Sequence, residues 1–160
     1  MKIIDKLGLI YIKDKKLLAV RSKNKDAYYI PGGKREGDET DIQTVIREVK
    51  EEASVDIIPD SLKLVGEFQA QAHGKEEDII VKITAYFGEF TGELKPDSEI
   101  EEINWLSYKD KETATPVMKK ILGAGFDPNA IYMKEVYSED GTHLIGGNLT
   151  VYPNRKPENS

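Results

Sequence analysis

Residues 33–55 read GKREGDETDIQTVIREVKEEASV, and they join a glycine-containing loop to a predicted helix. Thr40 and Gln43 have the spacing of a capping box, and Asp41 follows in the first turn, where a negative charge is favourable. A helix is therefore predicted to begin at this point. Its apolar residues recur at helical spacing and predict a buried stripe made of Ile42, Val45, Ile46, Val49 and Ala53.

Three glutamates, Glu48, Glu51 and Glu52, share one side of this helix, because residues three or four apart lie one above the other. On the helical wheel this side lies far from the apolar stripe, so the glutamates are expected to face away from the core. Like charges at these spacings repel by up to roughly 0.5 kcal/mol per exposed pair. A bound divalent cation would remove that repulsion.

The loop before the helix contains Gly32, Gly33, Gly37 and Glu39. Glycines allow backbone groups to approach a ligand closely, and the helix adds carboxylate oxygens. Mg²⁺ and Mn²⁺ are hard cations that prefer oxygen ligands and often bridge to substrate phosphates. The loop and the helix together therefore favour a divalent cation site next to a phosphate ligand.

This arrangement resembles the Nudix box, whose pattern is Gly, five residues, Glu, seven residues, Arg-Glu, an aliphatic residue, any residue, Glu-Glu, any residue, Gly and an aliphatic residue. The matching positions are Gly33, Glu39, Arg47, Glu48, Val49, Glu51, Glu52 and Val55. Only Ser54 departs, since the family usually has glycine there. That glycine is expected to end the helix in a left-handed conformation, which would cost serine about 1 kcal/mol.

The resemblance implies a Mg²⁺-dependent hydrolase, with Mn²⁺ as a substitute, that cleaves a nucleoside diphosphate linked to another group. The implied metal ligands are Glu48, Glu51, Glu52 and the Gly33 carbonyl, with Glu101 as a further candidate. Glu39 and Arg47 would pair and hold the loop against the helix. These two residues and the three box glutamates form the implied catalytic set.

The catalytic base is not fixed by the resemblance, because family members recruit it from different places. A box glutamate, Glu51 or Glu52, is one alternative. A carboxylate of the later stretch SEIEEINW, namely Glu99, Glu101 or Glu102, is the other.

Candidate substrate-binding residues lie in three parts of the chain. The loop offers Gly32, Gly33 and Lys34, and similar hydrolases often carry a phosphate-binding arginine where Arg21 ends the stretch KLLAVR. An ordinary surface arginine is the alternative for Arg21.

Gln69 and Gln71 line one face of a predicted strand with His73. They could hydrogen-bond to the edge of a base, or they could form a solvent-exposed outer face of the sheet. Tyr28, Tyr29 and Phe87 could stack on a base, although aromatic residues at strand spacing are more often part of a core.

The order of the predicted elements indicates an α/β (α+β) sandwich with a mixed β-sheet. The resemblance implies that it is a Nudix-type α/β/α sandwich. Strands are predicted at residues 3–12, 16–21, 62–72, 78–90 and 103–106. A last core helix is predicted at 115–122, where Thr115 can cap and Pro116 suits the first turn. We expect one Nudix domain at residues 1–122. Residues 123–160 are expected to form a C-terminal β-hairpin extension and tail packed on that domain, where the hairpin covers a sheet edge or builds a homodimer interface.

Composition excludes several classes of function. The chain has 160 residues, of which 39% are apolar and 32% charged, as in a folded globular protein. Its net charge of −6 argues against a nucleic acid polymer or an anionic membrane as the main partner. It has no cysteine, which excludes disulfides and thiol nucleophiles, and His73 and His143 are too far apart in sequence to suggest zinc. Without a signal-like or membrane-spanning segment, we expect a cytoplasmic protein.

The leading hypothesis for function is hydrolysis of a nucleoside triphosphate, including oxidised or non-standard ones, to the monophosphate and pyrophosphate. Nucleotide sugars, ADP-ribose and dinucleoside polyphosphates are alternative substrates of the same enzyme class. A catalytically silent nucleotide-sensing or interaction module is the alternative from another class. Such a module would be expected to lack one or more box glutamates, and all three are present.

Overall fold

The computed structural model describes residues 2–72, 78–123, 130–134 and 150–153. The strands are β1 (Lys2–Ile10), β2 (Ile12–Lys13), β3 (Lys16–Ser22), β4 (Gly32–Gly33), β5 (Asp56–Ile57), β6 (Lys63–Gln71), β7 (Ile79–Phe87), β8 (Phe90–Thr91), β9 (Ile100–Leu106), β10 (Ala130–Lys134) and β11 (Thr150–Pro153). The helices are α1 (Asp41–Ala53) and α2 (Pro116–Gly123), and short 3-10 helices span Pro59–Ser61 and Tyr108–Thr113. These elements agree with the predicted strands and with both predicted helices.

The largest sheet is mixed, as predicted, with the strand order β4-β1-β7-β6. β1 runs parallel to β7, whereas β4 pairs with β1 and β6 pairs with β7 in the antiparallel sense. A second sheet has the order β2-β3-β9, and β5 pairs with β8. Parallel pairing of β1 and β7 brings together residues that are far apart in sequence. The antiparallel pairing of β4 with β1 places the box loop beside β1.

The four-stranded sheet separates two hydrophobic cores. On one face, Met118, Ile121 and Leu122 of α2 belong to the same core as residues of β6 and β7. On the other face, Val45 and Val49 of α1 pack in a core with residues of β1 and β3. Successive residues of a strand point to opposite faces, so β1 contributes to both cores. The chain thus forms the predicted α+β sandwich with a helix on each side of the sheet.

Helix α1 begins with the predicted capping box. The Gln43 N–H donates to Thr40 Oγ1 at 3.1 Å, and the Thr40 N–H donates to Gln43 Oε1 at 2.9 Å. The predicted stripe is wrong at Ile42, which is 41% exposed. Thr44 is fully buried instead, because β4 and the box loop cover that side of the helix. The buried face is therefore rotated toward the glutamates.

Ser54 ends α1 in the predicted left-handed conformation, with φ of 68° and ψ of 19°. Its hydroxyl donates a hydrogen bond of 2.9 Å to the Lys95 carbonyl, and its N–H donates to the Lys50 carbonyl at 3.0 Å. The serine therefore makes a contact that a glycine could not make.

The C-terminal segment contains two of the predicted strands. β10 and β11 pair in the antiparallel sense, as expected for a hairpin. The sequence SEDGTH at residues 138–143, expected to form the turn of this hairpin, lies outside the described residues. The same holds for the expected tail PNRKPENS, apart from the Pro153 that ends β11, and for His73 and His143. In the described part of the chain, no helix is long and apolar enough to cross a membrane.

Candidate active site

The site begins at Gly32, where the short strand β4 pairs with Leu7 and Gly8 of β1. Gly32 has a φ of +153°, and a Cβ atom at this position would lie 2.7 Å from the Gly8 Cα. The backbones therefore approach so closely that a side chain cannot be accommodated. This contact fixes the loop between the central sheet and the side of α1 that carries Glu48 and Glu52.

Arg47 ties this loop to the helix. Its Nε donates to Glu39 Oε2 at 2.6 Å and its Nη2 donates to Glu39 Oε1 at 2.9 Å, which makes a bidentate ion pair. Nη2 also donates to the Lys34 carbonyl at 2.9 Å. The hydrogen bonds from Arg47 lower the pKa of Glu39 to about 2. The structure thus places Glu39 and Arg47 in the supporting arrangement that the family resemblance implies.

Glu48 packs against Gly33. A Cβ atom on Gly33 would lie 2.6 Å from Glu48 Oε2 and 2.7 Å from Oε1, so the carboxylate occupies the space that the missing side chain leaves. Arg47 Nη1 donates to Glu48 Oε2 at 3.0 Å. Burial raises the pKa of Glu48, although Arg47 opposes this effect. Gly33 and Glu48 are therefore adjacent, as a shared set of metal ligands requires.

Glu52 does not face away from the protein, and that expectation is wrong. The residue is only 2% exposed, because β4 crosses this side of α1. The Gly32 N–H donates to Glu52 Oε1 at 3.0 Å. Burial, together with nearby Glu99 and Glu48, raises the pKa of Glu52 to about 9. A buried carboxyl near two other carboxylates is a place where a cation would be strongly favoured.

Glu51 is turned toward Arg47, whose Nη1 donates to its Oε1 at 3.3 Å. The Glu51 side chain is 49% exposed. Among the described residues, no three histidine or acidic side chains are close enough together to hold a metal ion. The donor chemistry nevertheless fits a hard divalent cation, because Glu48 and Glu52 supply oxygens beside the Gly33 backbone. Metal binding by Glu51 stays a prediction.

These groups line an open space of about 480 Å³, which we call the acidic compartment. It is bounded by Lys6, Ser22, Tyr29, Gly32, Gly33, Lys34, Arg35, Glu36, Glu48, Glu52 and Glu99. Four of these residues are glutamates, and three are cations. The predicted loop residues Gly32, Gly33 and Lys34 thus lie in the same space as two of the box glutamates.

An adjoining space of about 330 Å³, the apolar compartment, extends toward α2. It is bounded by Ile4, Lys6, Leu7, Ser22, Lys25, Ala27, Tyr29, Ile30, Gly32, Lys34, Gln71, Ala72, Val81, Ile83, Thr115, Pro116 and Val117. Lys6, Ser22, Tyr29, Gly32 and Lys34 border both compartments, so the two spaces form one cleft. Among the described residues, the lining of the apolar compartment includes no carboxylate.

Lys6 and Ser22 belong to the cleft but were not predicted from the sequence. The Lys6 ammonium lies 5.7 Å from the centroid of the Tyr29 ring, and burial lowers the pKa of Lys6 against the charge of Glu52. Ser22 Oγ and Tyr29 Oη are 2.5 Å apart, and burial raises the pKa of Tyr29 to about 12. The sequence did contain a signal for Lys6. It is a charged residue on the face of β1 that also carries Ile4, Gly8 and the buried Ile10, where an apolar residue would be expected.

Arg21 does not border either compartment. Its Nε and Nη2 donate to Glu102 Oε1 at 3.1 and 2.9 Å, and its Nη1 donates to the Lys25 carbonyl. Glu101 lies 3.6 Å from Arg21 Nη1 and is 54% exposed. Of the three downstream carboxylates, the structure brings Glu99 to the cleft, next to Glu52. Phosphate binding by Arg21 and metal binding by Glu101 stay predictions.

The two candidate glutamines on β6 are both exposed, but they differ in position. Gln71 borders the apolar compartment, whereas Gln69 does not. Of the candidate stacking aromatics, Tyr29 borders the cleft, while Tyr28 and Phe87 pack against the core beneath α2. Substrate contacts by Gln69 and Gln71 stay predictions.

Comparisons with known proteins agree with this geometry. The family model of the NUDIX domain matches residues 6–123. No curated protein matches the sequence significantly. Among the solved structures that share the fold, three illustrate the similarity. The Escherichia coli ORF135 protein is 24% identical, with a TM-score of 0.60 over 77% of this chain and 88% of that chain.

The other two structures are similar to a comparable degree. A NUDIX hydrolase from Nitrosomonas europaea is 20% identical, with a TM-score of 0.62 over 76% of this chain and 87% of that chain. A MutT protein from Methanosarcina mazei Go1 is 20% identical, with a TM-score of 0.61 over 76% and 91%. Because the family model spans most of the chain and includes the cleft, the chain belongs to the NUDIX domain family and is a pyrophosphohydrolase.

Proposed function

We propose that this protein is a Mg²⁺-dependent pyrophosphohydrolase of nucleoside triphosphates, with Mn²⁺ as a substitute ion. Hydrolysis breaks the bridge between the α and β phosphorus atoms and releases the nucleoside monophosphate and pyrophosphate. Oxidised or non-standard nucleoside triphosphates are included in this substrate class.

The observation that carries this proposal is the pair of adjoining compartments. A nucleoside triphosphate has an apolar, planar base at one end and anionic phosphates at the other. The apolar compartment offers Tyr29, Ile30 and Pro116 to a base or sugar. The acidic compartment offers carboxylates that accept a metal ion together with the cations Lys6 and Lys34. The cleft therefore suits both ends of such a substrate.

Glu48 and Glu52 would hold the ion, with the Gly33 carbonyl beside them and Glu51 joining after it leaves Arg47. When bound, the ion neutralises charge on the phosphate oxygens and makes a bound water more acidic. Glu99, at the edge of the acidic compartment, takes the proton from the attacking water at its carboxylate. The Arg47–Glu39 pair keeps the loop in place, so that the substrate phosphates meet a fixed backbone.

A nucleotide panel tests the proposal. The purified protein is incubated with natural and oxidised nucleoside triphosphates, a nucleotide sugar, ADP-ribose and a dinucleoside polyphosphate, each with Mg²⁺, with Mn²⁺ and with EDTA. Chromatography with a pyrophosphate assay identifies the products. We expect monophosphate and pyrophosphate in equal amounts from at least one triphosphate, and none with EDTA. Turnover of only the other substrates, or binding without any hydrolysis, would refute this substrate class.

A further inference from the structure

We propose that Lys6 binds the phosphate chain of the substrate at the junction of the two compartments and sets how far the chain enters the acidic compartment. This inference rests on the proposed function and deepens it. It concerns a residue outside the box, on the central strand β1, to which the sequence pattern assigned no role.

The position of Lys6 supports the proposal. Lys6 pairs with Ile83 of β7 in the strand register, so it lies in the middle of the four-stranded sheet. It borders both compartments, together with Gly32 and Lys34. A phosphate chain that joins a nucleoside in the apolar compartment to an ion held by Glu48 and Glu52 has to cross this junction. Lys6 is therefore placed beside the path of the chain.

The surroundings of Lys6 also favour an anionic ligand. Its ammonium lies near the face of the Tyr29 ring, and no carboxylate of the described residues is within ion-pair distance of it. A half-buried lysine without a direct counter-ion is costly, and an apolar side chain at this position would pack better between Ile4 and Ile83. A phosphate would supply the missing counter-ion.

Three arginines near the cleft are already engaged in ion pairs. Arg21 binds Glu102, Arg35 binds Asp41 and Asp5, and Arg47 binds Glu39. These ion pairs hold elements of the fold together, and a substrate would have to break them. Lys6 can meet a phosphate without such a loss.

The test measures binding of inorganic pyrophosphate with Mg²⁺ by calorimetry, because this probe contains the phosphate bridge and no nucleoside. Wild type is compared with Lys6→Met, which keeps the length of the side chain but removes its charge, and with Lys6→Arg, which keeps a cation. Lys2→Met is the matched control, since Lys2 lies on the same strand and is exposed. Thermal melting checks that each variant folds, and Lys6→Gln replaces Lys6→Met if the latter does not.

We expect Lys6→Met to weaken pyrophosphate binding by roughly 10- to 100-fold, the loss typical of a charge-assisted hydrogen bond. Lys6→Arg should recover much of the affinity, and Lys2→Met should bind like wild type. With a triphosphate substrate, the KM of Lys6→Met should rise while its kcat changes much less.

Equal pyrophosphate affinity in wild type and Lys6→Met would overturn the proposal. So would an effect on the KM of one nucleotide with no effect on pyrophosphate binding, since Lys6 would then contact the base. If wild type hydrolyses no triphosphate, the proposed function fails, but the pyrophosphate measurement still decides the role of Lys6.

Discussion

At the scale of single residues, the contact between Gly33 and Glu48 explains why a glycine is required at this position. The Glu48 carboxylate occupies the space where a side chain would be, with its Oε2 2.6 Å from the position of a Cβ atom. The glycine therefore serves the placement of a carboxylate as well as the turn of the loop. A methyl group there must push Glu48 out of the acidic compartment.

Gly33→Ala should accordingly reduce turnover of the substrate by roughly 100-fold, the loss that a misplacement of about 1 Å can cause at a reacting centre. The fold should survive, because the clash is with a side chain that can move. Gly37→Ala is the control. Gly37 has a positive φ of +55°, but nothing lies within 4 Å of its Cβ position. Comparable losses of activity in both variants would contradict the account of Gly33.

Ser54 shows that a departure from the family pattern can be compensated locally. Its left-handed backbone costs about 1 kcal/mol relative to glycine. The hydroxyl offsets part of this cost by donating to the Lys95 carbonyl at 2.9 Å. The hydrogen bond joins the end of α1 to the segment that follows β8.

We expect Ser54→Ala to lower the free energy of unfolding by about 1 kcal/mol, because it keeps the backbone strain and loses the hydrogen bond. Ser54→Gly should change it by less, since relief of the strain opposes that loss. Urea unfolding of the three proteins measures the difference. A Ser54→Gly protein that is less stable than Ser54→Ala would show that the left-handed conformation carries little strain.

At the scale of elements, the box is a loop held to a helix by one arginine. Arg47 extends from α1 to Glu39, and Glu39 also accepts hydrogen bonds from the Glu36 N–H and from Thr44 Oγ1. One carboxylate thus joins the loop to two turns of the helix. The stability of this connection depends on the charge of Glu39.

The connection should be sensitive to acid. The pKa of Glu39 is about 2 in the folded protein, below its ordinary value of 4.5. Its contribution to stability is therefore complete above pH 4.5 and is lost as the pH falls toward 2. The melting temperature of wild type should exceed that of Glu39→Gln at pH 7. The difference between the two melting temperatures should shrink as the pH falls from 4.5 to 2. In contrast, Glu36→Gln should leave the pH dependence nearly unchanged, because Glu36 is exposed and lies 3.5 Å from Arg47. A gap that stays constant down to pH 2 would argue against the assigned pKa.

Local patterns explain why much of α1 could be predicted from the sequence. The capping box of Thr40 and Gln43 and the left-handed Ser54 depend only on neighbouring residues. The burial of Glu52 could not be predicted in this way, because it results from β4, which pairs with the distant strand β1. The same is true of Lys6, whose role at the cleft depends on the pairing of β1 with β7.

The downstream carboxylates show a second limit of sequence patterns. Simple alternation along a strand places Glu99 and Glu101 on the same face. The register of β3 and β9 is irregular between Arg21 and Ser22, so that Arg21 opposes Glu102 and Ser22 opposes Ile100. This irregularity separates Glu99, which borders the cleft, from Glu101, which lies near Arg21. A shift in register is set by long-range packing and cannot be read from alternation.

At the scale of the whole molecule, the described residues that line the cleft all come from the part of the chain before the C-terminal hairpin. Its described lining begins at Ile4 and ends at Val117. Helix α2, which covers the core formed with β6 and β7, ends at Gly123. We therefore propose that residues 1–122 form the catalytic domain. Residues 123–160 would cover a sheet edge or form a homodimer interface.

Removal of residues 124–160 should leave the rate of hydrolysis within about threefold of wild type, because no described residue of that segment lines the cleft. If the hairpin builds a homodimer, the size in solution should fall to that of a monomer, as measured by light scattering. A truncated protein that melts normally but has no activity would contradict this division, because the hairpin would then contribute to the site.

We propose that the carboxylates of the acidic compartment form the catalytic centre. The most direct measurement is the rate of pyrophosphate release from a nucleoside triphosphate with saturating Mg²⁺, for wild type, Glu52→Gln and Glu112→Gln. Glu112 is the control, because its side chain is 79% exposed and outside the described lining of the cleft. We predict that Glu52→Gln lowers the rate by at least about 100-fold while its melting temperature does not fall, and that Glu112→Gln matches wild type. A folded Glu52→Gln protein with the wild-type rate would contradict the account.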